Sequence, residues 1–230
     1  MRGSSRVTAA PTLGSVLIAQ RLAGLIDGLV TDRVLVAFDG PDAAGKTSLA
    51  LAVAEHMTRP AVCATVDAWH NPRDVRMRRG GASAEGYYRD SFNLDALTRD
   101  LLTPFRRGAP RVQVAGFDYL ADAPIQAEEQ VASRAALLFD GVFLLRPELV
   151  ASWDLRVYLH VPEQVTLSRA AVRDGHLFGE AEAVRARYQA RYLPGQALYR
   201  NDASPLEVAD IVLDNSDWQR PVVLRWPKDG

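Results

Sequence analysis

The segment FDGPDAAGKTSLA, residues 38–50, has the residue types of a loop that binds phosphate groups. Gly40, Gly45, Lys46 and Thr47 match the pattern G-x-x-x-x-G-K-[ST] without a mismatch. Glycines let consecutive backbone N–H groups turn inward around phosphate oxygens at the start of a helix. The lysine is then expected to reach the β- and γ-phosphates of a nucleoside triphosphate. The residues predicted to hold the nucleotide are Gly40, Pro41, Asp42, Ala43, Ala44, Gly45, Lys46, Thr47 and Ser48.

Two aspartates stand at the ends of other apolar runs and could complete this chemistry. Asp140 ends AALLFD and precedes Gly141, so it could share Mg²⁺ with the hydroxyl of Thr47. The alternative for Asp140 is a turn aspartate at the end of a strand. Asp67 follows AVCATV, where its carboxylate could accept the proton of an attacking hydroxyl, or could cap a turn or helix. The predicted metal ligands are therefore Thr47 and Asp140.

The elements that position these residues follow from the hydrophobic pattern. Six short apolar runs have the near-continuous Val- and Leu-rich character of strands buried on both faces: RVLVAFD, AVCATVD, RVQVAGF, AALLFDGVFLL, DLRVYLHV and ADIVLDN. Amphipathic helical segments separate them, a further helix is predicted in SVLIAQRLAGLIDGLV, and PVVLRW could add an edge strand. The pattern predicts a three-layer α/β fold with a doubly wound, mainly parallel sheet. Ligands bind at the carboxyl ends of the strands in such sheets.

The composition limits the class of protein. The chain has 230 residues, 48% of them hydrophobic and 24% charged, which favours one globular domain over residues 1–230. The net charge of −1 argues against nucleic-acid binding. A single cysteine excludes an intramolecular disulfide and fits the cytoplasm. We expect residues 1–14 to form a flexible terminus, and we expect neither a signal peptide nor a membrane span.

Taken together, the motifs resemble those of the uridine kinase family and its neighbours, phosphoribulokinase and bacterial pantothenate kinase. The resemblance runs from about residue 33 to residue 215 and rests on an ordered set of segments: VAFDGPDAAGKT, VDAWHNPRDVRMRRG, YYRDSFNLDAL, LLFDGVFLL, SRAAVRD and RYLPGQALY with PLEVADIVLDN. It implies a P-loop NTPase fold of the nucleoside and nucleotide kinase type, with ATP and Mg²⁺ as cofactors.

The resemblance also implies roles for individual side chains. Asp67 takes the position of the family's catalytic aspartate, and His70 that of a side chain facing the substrate. Arg169 and Arg173 match arginines of a lid, residues 162–192, that closes over the phosphates; their i, i+4 spacing would place both on one helix face, although a solvated face is the alternative. The catalytic residues implied are thus Asp67, Lys46, Arg169 and Arg173.

The segments that would bind the acceptor alcohol depart from the family pattern. AGFDYLADAP resembles a stretch that contacts the nucleobase, but Asp122 stands where the family has a histidine. SFNLDAL places Phe92 where the family has a ribose-binding aspartate, and Asp90 could compensate for it. The residues predicted to bind the acceptor are Asp67, His70, Tyr88, Asp90, Phe117 and Tyr119.

The segment HNPRDVRMRRGGASAEGYYRD, residues 70–90, is the most individual part of the chain, and we name it the insert. It forms most of a predicted substrate flap over residues 70–92. Its four arginines at positions 73, 76, 78 and 79 could favour an acceptor that already carries negative charge, or the segment could be a mobile solvated loop. Tyr87 and Tyr88 could stack on a ring of the substrate or anchor the insert to the core.

The sequence therefore predicts an ATP-dependent kinase that phosphorylates an alcohol hydroxyl of a small molecule, with the 5′-hydroxyl of a nucleoside as the leading acceptor. The departures on the acceptor side keep a sugar phosphate or a vitamin-like alcohol as an alternative. A regulatory nucleotide-binding switch is a third alternative, but LDNSD does not supply the N-K-x-D stretch of guanine-reading switches. Assembly as a homo-oligomer stays open.

Overall fold

A computed structural model describes residues 12–175 and 179–227 of the chain. Its main sheet has six strands in the order β2-β5-β1-β6-β7-β8. Five of these strands run parallel, and β8 is an antiparallel edge strand beside β7. The strands are β1 (Arg33–Asp39), β2 (Ala61–Thr65), β3 (Arg111–Asp118), β4 (Ala123–Gln130), β5 (Ala135–Gly141), β6 (Leu155–His160), β7 (Ile211–Asp214) and β8 (Val222–Arg225).

The helices lie between the strands and cover the sheet. They are α1 (Leu13–Gly28), α2 (Lys46–His56), α3 (Arg73–Arg76), α4 (Ala84–Asp90), α5 (Leu94–Leu97), α6 (Thr103–Arg106), α7 (Glu163–Arg173), α8 (Ala181–Arg187), α9 (Leu193–Ala203) and α10 (Pro205–Val208). A π-helical turn, Thr98–Leu102, joins α5 to α6, and a second, Tyr188–Tyr192, joins α8 to α9. A 3₁₀ turn, Val66–Trp69, directly follows β2.

The core confirms the doubly wound arrangement. Every residue of β1 and of β5 is buried, because successive side chains of a central strand point to opposite faces that are both covered. On one face Val34, Val36 and Phe38 pack with α1 and α2. On the other, Leu35 and Ala37 belong to a cluster that includes the aromatic side chains of α4 and α9. The predicted three-layer α/β fold with a mainly parallel sheet is therefore confirmed.

One predicted strand lies outside the main sheet. RVQVAGF forms β3, which pairs antiparallel with β4 in a separate two-stranded sheet. The second strand of this hairpin, APIQAEEQ, was not predicted, because its side chains are almost all exposed and it therefore has no apolar pattern. The predicted edge strand PVVLRW is confirmed as β8.

Parts of two predicted segments fall outside the described residues. Of the predicted flexible terminus, residues 1–11 lie outside them, whereas residues 12–14 are the N-cap and the first two residues of α1. There Thr12 and Ser15 form a capping box, in which each side chain accepts a hydrogen bond from the other's backbone N–H. Residues 176–178 of the predicted lid also lie outside. Among the described helices, none is both long and apolar enough to cross a bilayer.

Candidate active site

The phosphate-binding segment, residues 40–47, which we call the P-loop, connects the end of β1 to the start of α2. Gly45 is the N-cap of α2 and has φ of 90°, a left-handed conformation that residues with a Cβ rarely adopt. In the described part of the chain no side chain caps this helix N-terminus. Its backbone N–H groups and the positive end of the helix dipole are therefore directed at the position where a phosphate group would lie.

Lys46, the first residue of α2, is buried in the P-loop. Its Nζ donates a hydrogen bond to the carbonyl oxygen of Pro41 at 2.7 Å. Burial lowers the pKa of Lys46, whereas the carboxylates of Asp42, Asp39 and Asp140 raise it. The ammonium group is thus hydrogen-bonded to a backbone oxygen of the P-loop, where a phosphate group could take over this contact.

Thr47 and Asp140 meet at the carboxyl edge of the sheet. The hydroxyl of Thr47 donates to Oδ2 of Asp140 at 2.6 Å. A hydroxyl and a carboxylate are oxygen ligands of the kind that Mg²⁺ prefers, and Mg²⁺ completes its shell with phosphate oxygens and water. The two side chains therefore fit a Mg²⁺ ion bound together with a triphosphate.

Asp67 lies beside this pair, on the 3₁₀ turn that follows β2. Thr65 is the register partner of Asp140 across the β2–β5 ladder, and Asp67 follows two residues later with an exposed side chain. The turn packs closely on β5, since a Cβ on Gly141 would lie 2.3 Å from Cγ1 of Val66. Glycine at position 141 therefore lets the turn carrying Asp67 approach the strand carrying Asp140.

His70 follows the same turn, and the sequence predicts that it binds the acceptor. Its Nδ1 donates to the carbonyl oxygen of Asp67 at 2.8 Å, which leaves Nε2 as an acceptor in the neutral ring. Burial lowers the pKa of His70, and the guanidinium groups of Arg76 and Arg191 lower it further, against the opposing charge of Asp67. We therefore expect an imidazole that is neutral near pH 7.

Aromatic side chains surround His70. The centroid of its ring lies 4.6 Å from that of Phe92 and 4.9 Å from that of Tyr119. Burial raises the pKa of the Tyr119 hydroxyl, and the nearby Asp67 carboxylate raises it further. Phe117 is buried on β3, opposite Pro124 in the hairpin. Of the predicted acceptor residues, Asp67, His70 and Tyr119 are thus brought together.

The prediction for Tyr88 is corrected by its burial. Its side chain is 1% exposed, and its hydroxyl donates to Asp202 on α9 at 2.7 Å. Its ring packs against Phe143 and Tyr199. A side chain in this position cannot stack on a substrate, so Tyr88 anchors the insert to the core, which was the alternative reading.

The prediction that Asp90 replaces a ribose-binding aspartate is also corrected. Its carboxylate, 2% exposed, accepts hydrogen bonds from Arg78 and from Nε of Arg79, the latter at 2.7 Å. These bonds, above all the one from Arg78, keep the pKa of Asp90 below its usual value. Asp90 therefore stabilises the insert internally. Two of the four arginines that were expected to attract an anion are already paired with it.

The insert contains two helices rather than forming a free loop, and further contacts join it to the β3–β4 hairpin and to Arg191. Arg76 donates to the carbonyl oxygen of Tyr119 at 3.4 Å and to Oδ1 of Asp122 at 2.9 Å. The aspartate that replaces the family's histidine is thus a partner of the insert. Arg191, 3% exposed, donates to backbone carbonyls of Arg76, Gly80, Gly81 and Ser83.

The two predicted lid arginines lie one turn apart on α7, but their guanidinium groups have different partners. Arg169 donates to the carbonyl oxygens of Ala43 in the P-loop, at 3.3 Å, and of Asn215 and Ser216, at 2.8 and 3.0 Å. It therefore ties α7 to the P-loop and to the segment after β7.

Arg173, one turn further along α7, has side-chain partners instead. Its guanidinium binds Asp174, with Nε–Oδ1 at 2.6 Å, and the hydroxyl of Tyr188 at 3.1 Å. Its positive charge acts on Lys46, while the negative charge of Asp42 acts on Arg173. Arg173 is thus within electrostatic range of the P-loop, where the sequence resemblance predicts that it neutralises phosphate charge.

Three polar side chains at this edge were not predicted. Asn215 donates to the carbonyl oxygen of Ala44 at 2.7 Å, and Gln196 donates to Asp42 at 2.6 Å. Tyr199 donates to the buried carboxylate of Asp39. The position of Asn215, directly after β7, is a signal that could have identified it, whereas Gln196 and Tyr199 lie on α9 and no local pattern distinguishes them.

Asp39, at the end of β1, has a fully buried carboxylate. Besides Tyr199, the backbone N–H groups of Gly40, at 2.7 Å, and Leu145, at 3.3 Å, donate to it. Burial raises the pKa of Asp39 to about 6, although these hydrogen bonds and the charge of Lys46 act in the opposite direction. The last residue of β1 is therefore a carboxylate that titrates close to neutral pH.

No family profile and no curated protein match the sequence. Solved structures do resemble the fold. One described as a possible uridine kinase from Bacillus stearothermophilus has a TM-score of 0.68 and 20% identity, covering 84% of this chain and 96% of its own. One described as a fructose transport system kinase from Silicibacter has a TM-score of 0.63 and 26% identity, covering 85% and 94%. D-glycerate 3-kinase from Cryptococcus neoformans has a TM-score of 0.56 and 13% identity, covering 83% and 87%.

These similarities cover most of the chain. They agree with the resemblance that the sequence motifs indicated. The chain therefore has the fold of the P-loop kinases, and the structures that it resembles are uridine kinase-like and sugar kinase-like proteins.

Proposed function

We propose that the protein is an ATP-dependent kinase that transfers the γ-phosphoryl group to an alcohol hydroxyl of a small molecule. The observation that carries this proposal is the Thr47–Asp140 hydrogen bond at the N-terminus of α2, next to the turn that bears Asp67. A phosphate cradle, a pair of Mg²⁺ ligands and a carboxylate at one sheet edge are the parts that in-line phosphoryl transfer needs.

In the proposed reaction, Asp67 accepts the proton of the acceptor hydroxyl. The hydroxyl oxygen of the acceptor bonds to the γ-phosphorus as the bond between the γ-phosphorus and the leaving ADP oxygen breaks. Lys46 and Arg173 neutralise charge on the phosphates, and Arg169 holds α7 on the P-loop. Mg²⁺ held by Thr47 and Asp140 would neutralise charge on the phosphate oxygens. Catalysis thus rests on positioning and electrostatics.

The 5′-hydroxyl of a nucleoside is the first candidate acceptor. The similarity to the possible uridine kinase supports it. So do the aromatic side chains of His70, Phe92 and Tyr119, which lie together beside Asp67. The neutral His70, with Nε2 as an acceptor, is suited to receive a hydrogen bond from a sugar hydroxyl.

A sugar phosphate or a vitamin-like alcohol is the second candidate acceptor, and two features around His70 support it. The His70 ring already contacts two aromatic rings, which leaves less of its surface for stacking on a base. Asp122, at the position of the family's histidine, is held by Arg76. Proteins described as a fructose transport system kinase and a glycerate kinase share the fold.

An acceptor screen tests the proposal. The purified protein with ATP and Mg²⁺ is offered nucleosides, sugars, sugar phosphates and pantothenate-like alcohols, and ADP formation and phosphorylated products are measured. Acceptor-dependent ADP formation that Lys46→Ala abolishes supports the kinase. Tight ATP binding with no turnover on any acceptor would instead support the nucleotide-binding switch. We place the activity in the cytoplasm, as the single cysteine suggests.

A further inference from the structure

Asp42 places a carboxylate inside the phosphate-binding loop. Like charges repel, so a carboxylate free to turn toward a bound triphosphate would weaken binding. In the structure its direction is fixed: Oδ2 accepts hydrogen bonds from the hydroxyl of Tyr87 at 2.9 Å and from Nε2 of Gln196 at 2.6 Å. The P-loop is thus fastened through Asp42 to α4 and to α9.

The two donors are held rigidly. Tyr87 and Gln196 are 6% and 3% exposed. Their helices pack closely, since a Cβ on Gly195 of α9 would lie 2.7 Å from Cδ1 of Tyr87. Burial, together with the charge of Asp42, raises the pKa of Tyr87 well above its usual value, so its hydroxyl remains a donor. A movement of α4 would therefore displace the P-loop through the hydrogen bonds of Asp42.

Contacts continue from α4 to the acceptor side. Asp90, the last residue of α4, binds Arg78 and Arg79. Earlier in the insert, Arg76 donates to the carbonyl oxygen of Tyr119, whose ring contacts His70. The described hydrogen bonds and packing thus form a physical connection from the P-loop, through the insert, to the side chains next to Asp67.

We propose that Asp42 is a positioning residue that links the nucleotide site to the insert through Tyr87 and Gln196. A nucleotide that orders the P-loop then also stabilises the insert, and by thermodynamic reciprocity an ordered insert strengthens nucleotide binding. The proposal rests on the proposed function only in requiring that a nucleotide occupies the P-loop. A merely structural role would stabilise the protein equally with and without nucleotide.

Hydrogen exchange of the backbone amides in residues 73–90 tests the link, with and without Mg²⁺ and a non-hydrolysable ATP analogue. In the wild type we expect the analogue to slow exchange in the P-loop and, by roughly tenfold, in the insert. Tyr87→Phe removes one hydroxyl and keeps the ring, so slowing should persist in the P-loop and largely vanish in the insert.

Tyr88→Phe is the matched control. It is the neighbouring residue on α4 and also loses a partly buried hydrogen bond to a carboxylate, but that carboxylate, Asp202, lies outside the P-loop. We expect its insert to respond to the analogue as the wild type does. Asp42→Asn keeps an acceptor oxygen and should preserve most of the response, whereas Asp42→Ala should abolish it.

Two results would overturn the link. One is an insert that does not respond although the analogue protects the P-loop; the other is an equal response in Tyr87→Phe and Tyr88→Phe. Neither result affects the proposed kinase function. Failure of the wild type to bind the analogue at all would refute the proposed function and this link together, so the two failures can be distinguished.

Discussion

The hydroxyl of Thr47 donates a hydrogen bond to Oδ2 of Asp140 across 2.6 Å, although 93 residues separate the two in the chain. The β1–β5 ladder explains their meeting. It pairs Phe38 with Asp140, so the P-loop and the end of β5 leave the sheet side by side. The hydrogen bond thus connects the P-loop to the carboxylate at the end of β5.

Asp140→Asn should slow phosphoryl transfer far more than it weakens nucleotide binding. The neutral amide is a poorer Mg²⁺ ligand, while the backbone N–H groups of the P-loop still hold the phosphates. Titrating Mg²⁺ in the turnover assay should show a higher requirement than in the wild type. Asp95→Asn, an exposed aspartate on α5, is the control. If Asp140→Asn had the same Mg²⁺ requirement as the wild type, Asp140 would not be a Mg²⁺ ligand but only a residue at the end of a strand.

Lys46→Ala should abolish phosphoryl transfer and leave the fold intact. The substitution removes a positive charge from the phosphate site, and alanine is a good helix former at the start of α2. Turnover is compared with circular dichroism and thermal unfolding of the same sample. Near-wild-type turnover would contradict the assignment of the P-loop lysine.

Asp67→Asn should reduce turnover by roughly 10²–10⁴-fold, the range typical of a general base. Nucleotide affinity should change little, because Asp67 lies on the turn after β2 and outside the P-loop. Asparagine keeps the shape of the side chain, so a large loss reports proton acceptance. The measurement is turnover with the acceptor found in the screen, alongside ATP binding. A loss of less than about threefold would show that Asp67 is a turn residue.

Asp39 should make stability depend on pH. Its pKa is raised from 3.8 to about 6 in the folded protein, mainly by burial. The folded state therefore holds this proton more tightly than the unfolded chain, and the contribution to the free energy of unfolding is largest below pH 3.8 and falls as the pH rises to about 6. Asp39→Asn cannot ionise, so it should lack this fall, which amounts to about 3 kcal/mol at most.

Urea unfolding of the wild type and of Asp39→Asn between about pH 4 and pH 7 measures this difference. The free energy of unfolding of the wild type should fall relative to that of the variant as the pH rises through this window. At higher pH the two curves should be parallel. Parallel curves throughout would mean that Asp39 does not titrate there.

The sequence alone determined the P-loop, the acidic end of β5 and the fold class. These are encoded in contiguous residues: the spacing of glycines and Lys46, the uninterrupted apolar runs of buried strands, and the turn after Asp140. Each pattern is local, and a parallel sheet brings strand ends to one edge whatever the details of packing. The sequence therefore also predicted that Asp67 and Asp140 would share that edge, as Thr65 and Asp140 do in the ladder.

The tertiary structure decided what the remaining polar and aromatic side chains do. Asp90 and Tyr88 looked like acceptor residues, but Asp90 pairs with Arg78 and Arg79, and Tyr88 packs in the core. Asp42 gained its partners from α4 and α9, which lie far from it in the chain. A carboxylate in a turn has the same sequence signal whether it faces a substrate or a guanidinium group. Only the packing of distant elements decides which partner lies within hydrogen-bond distance when the group is buried.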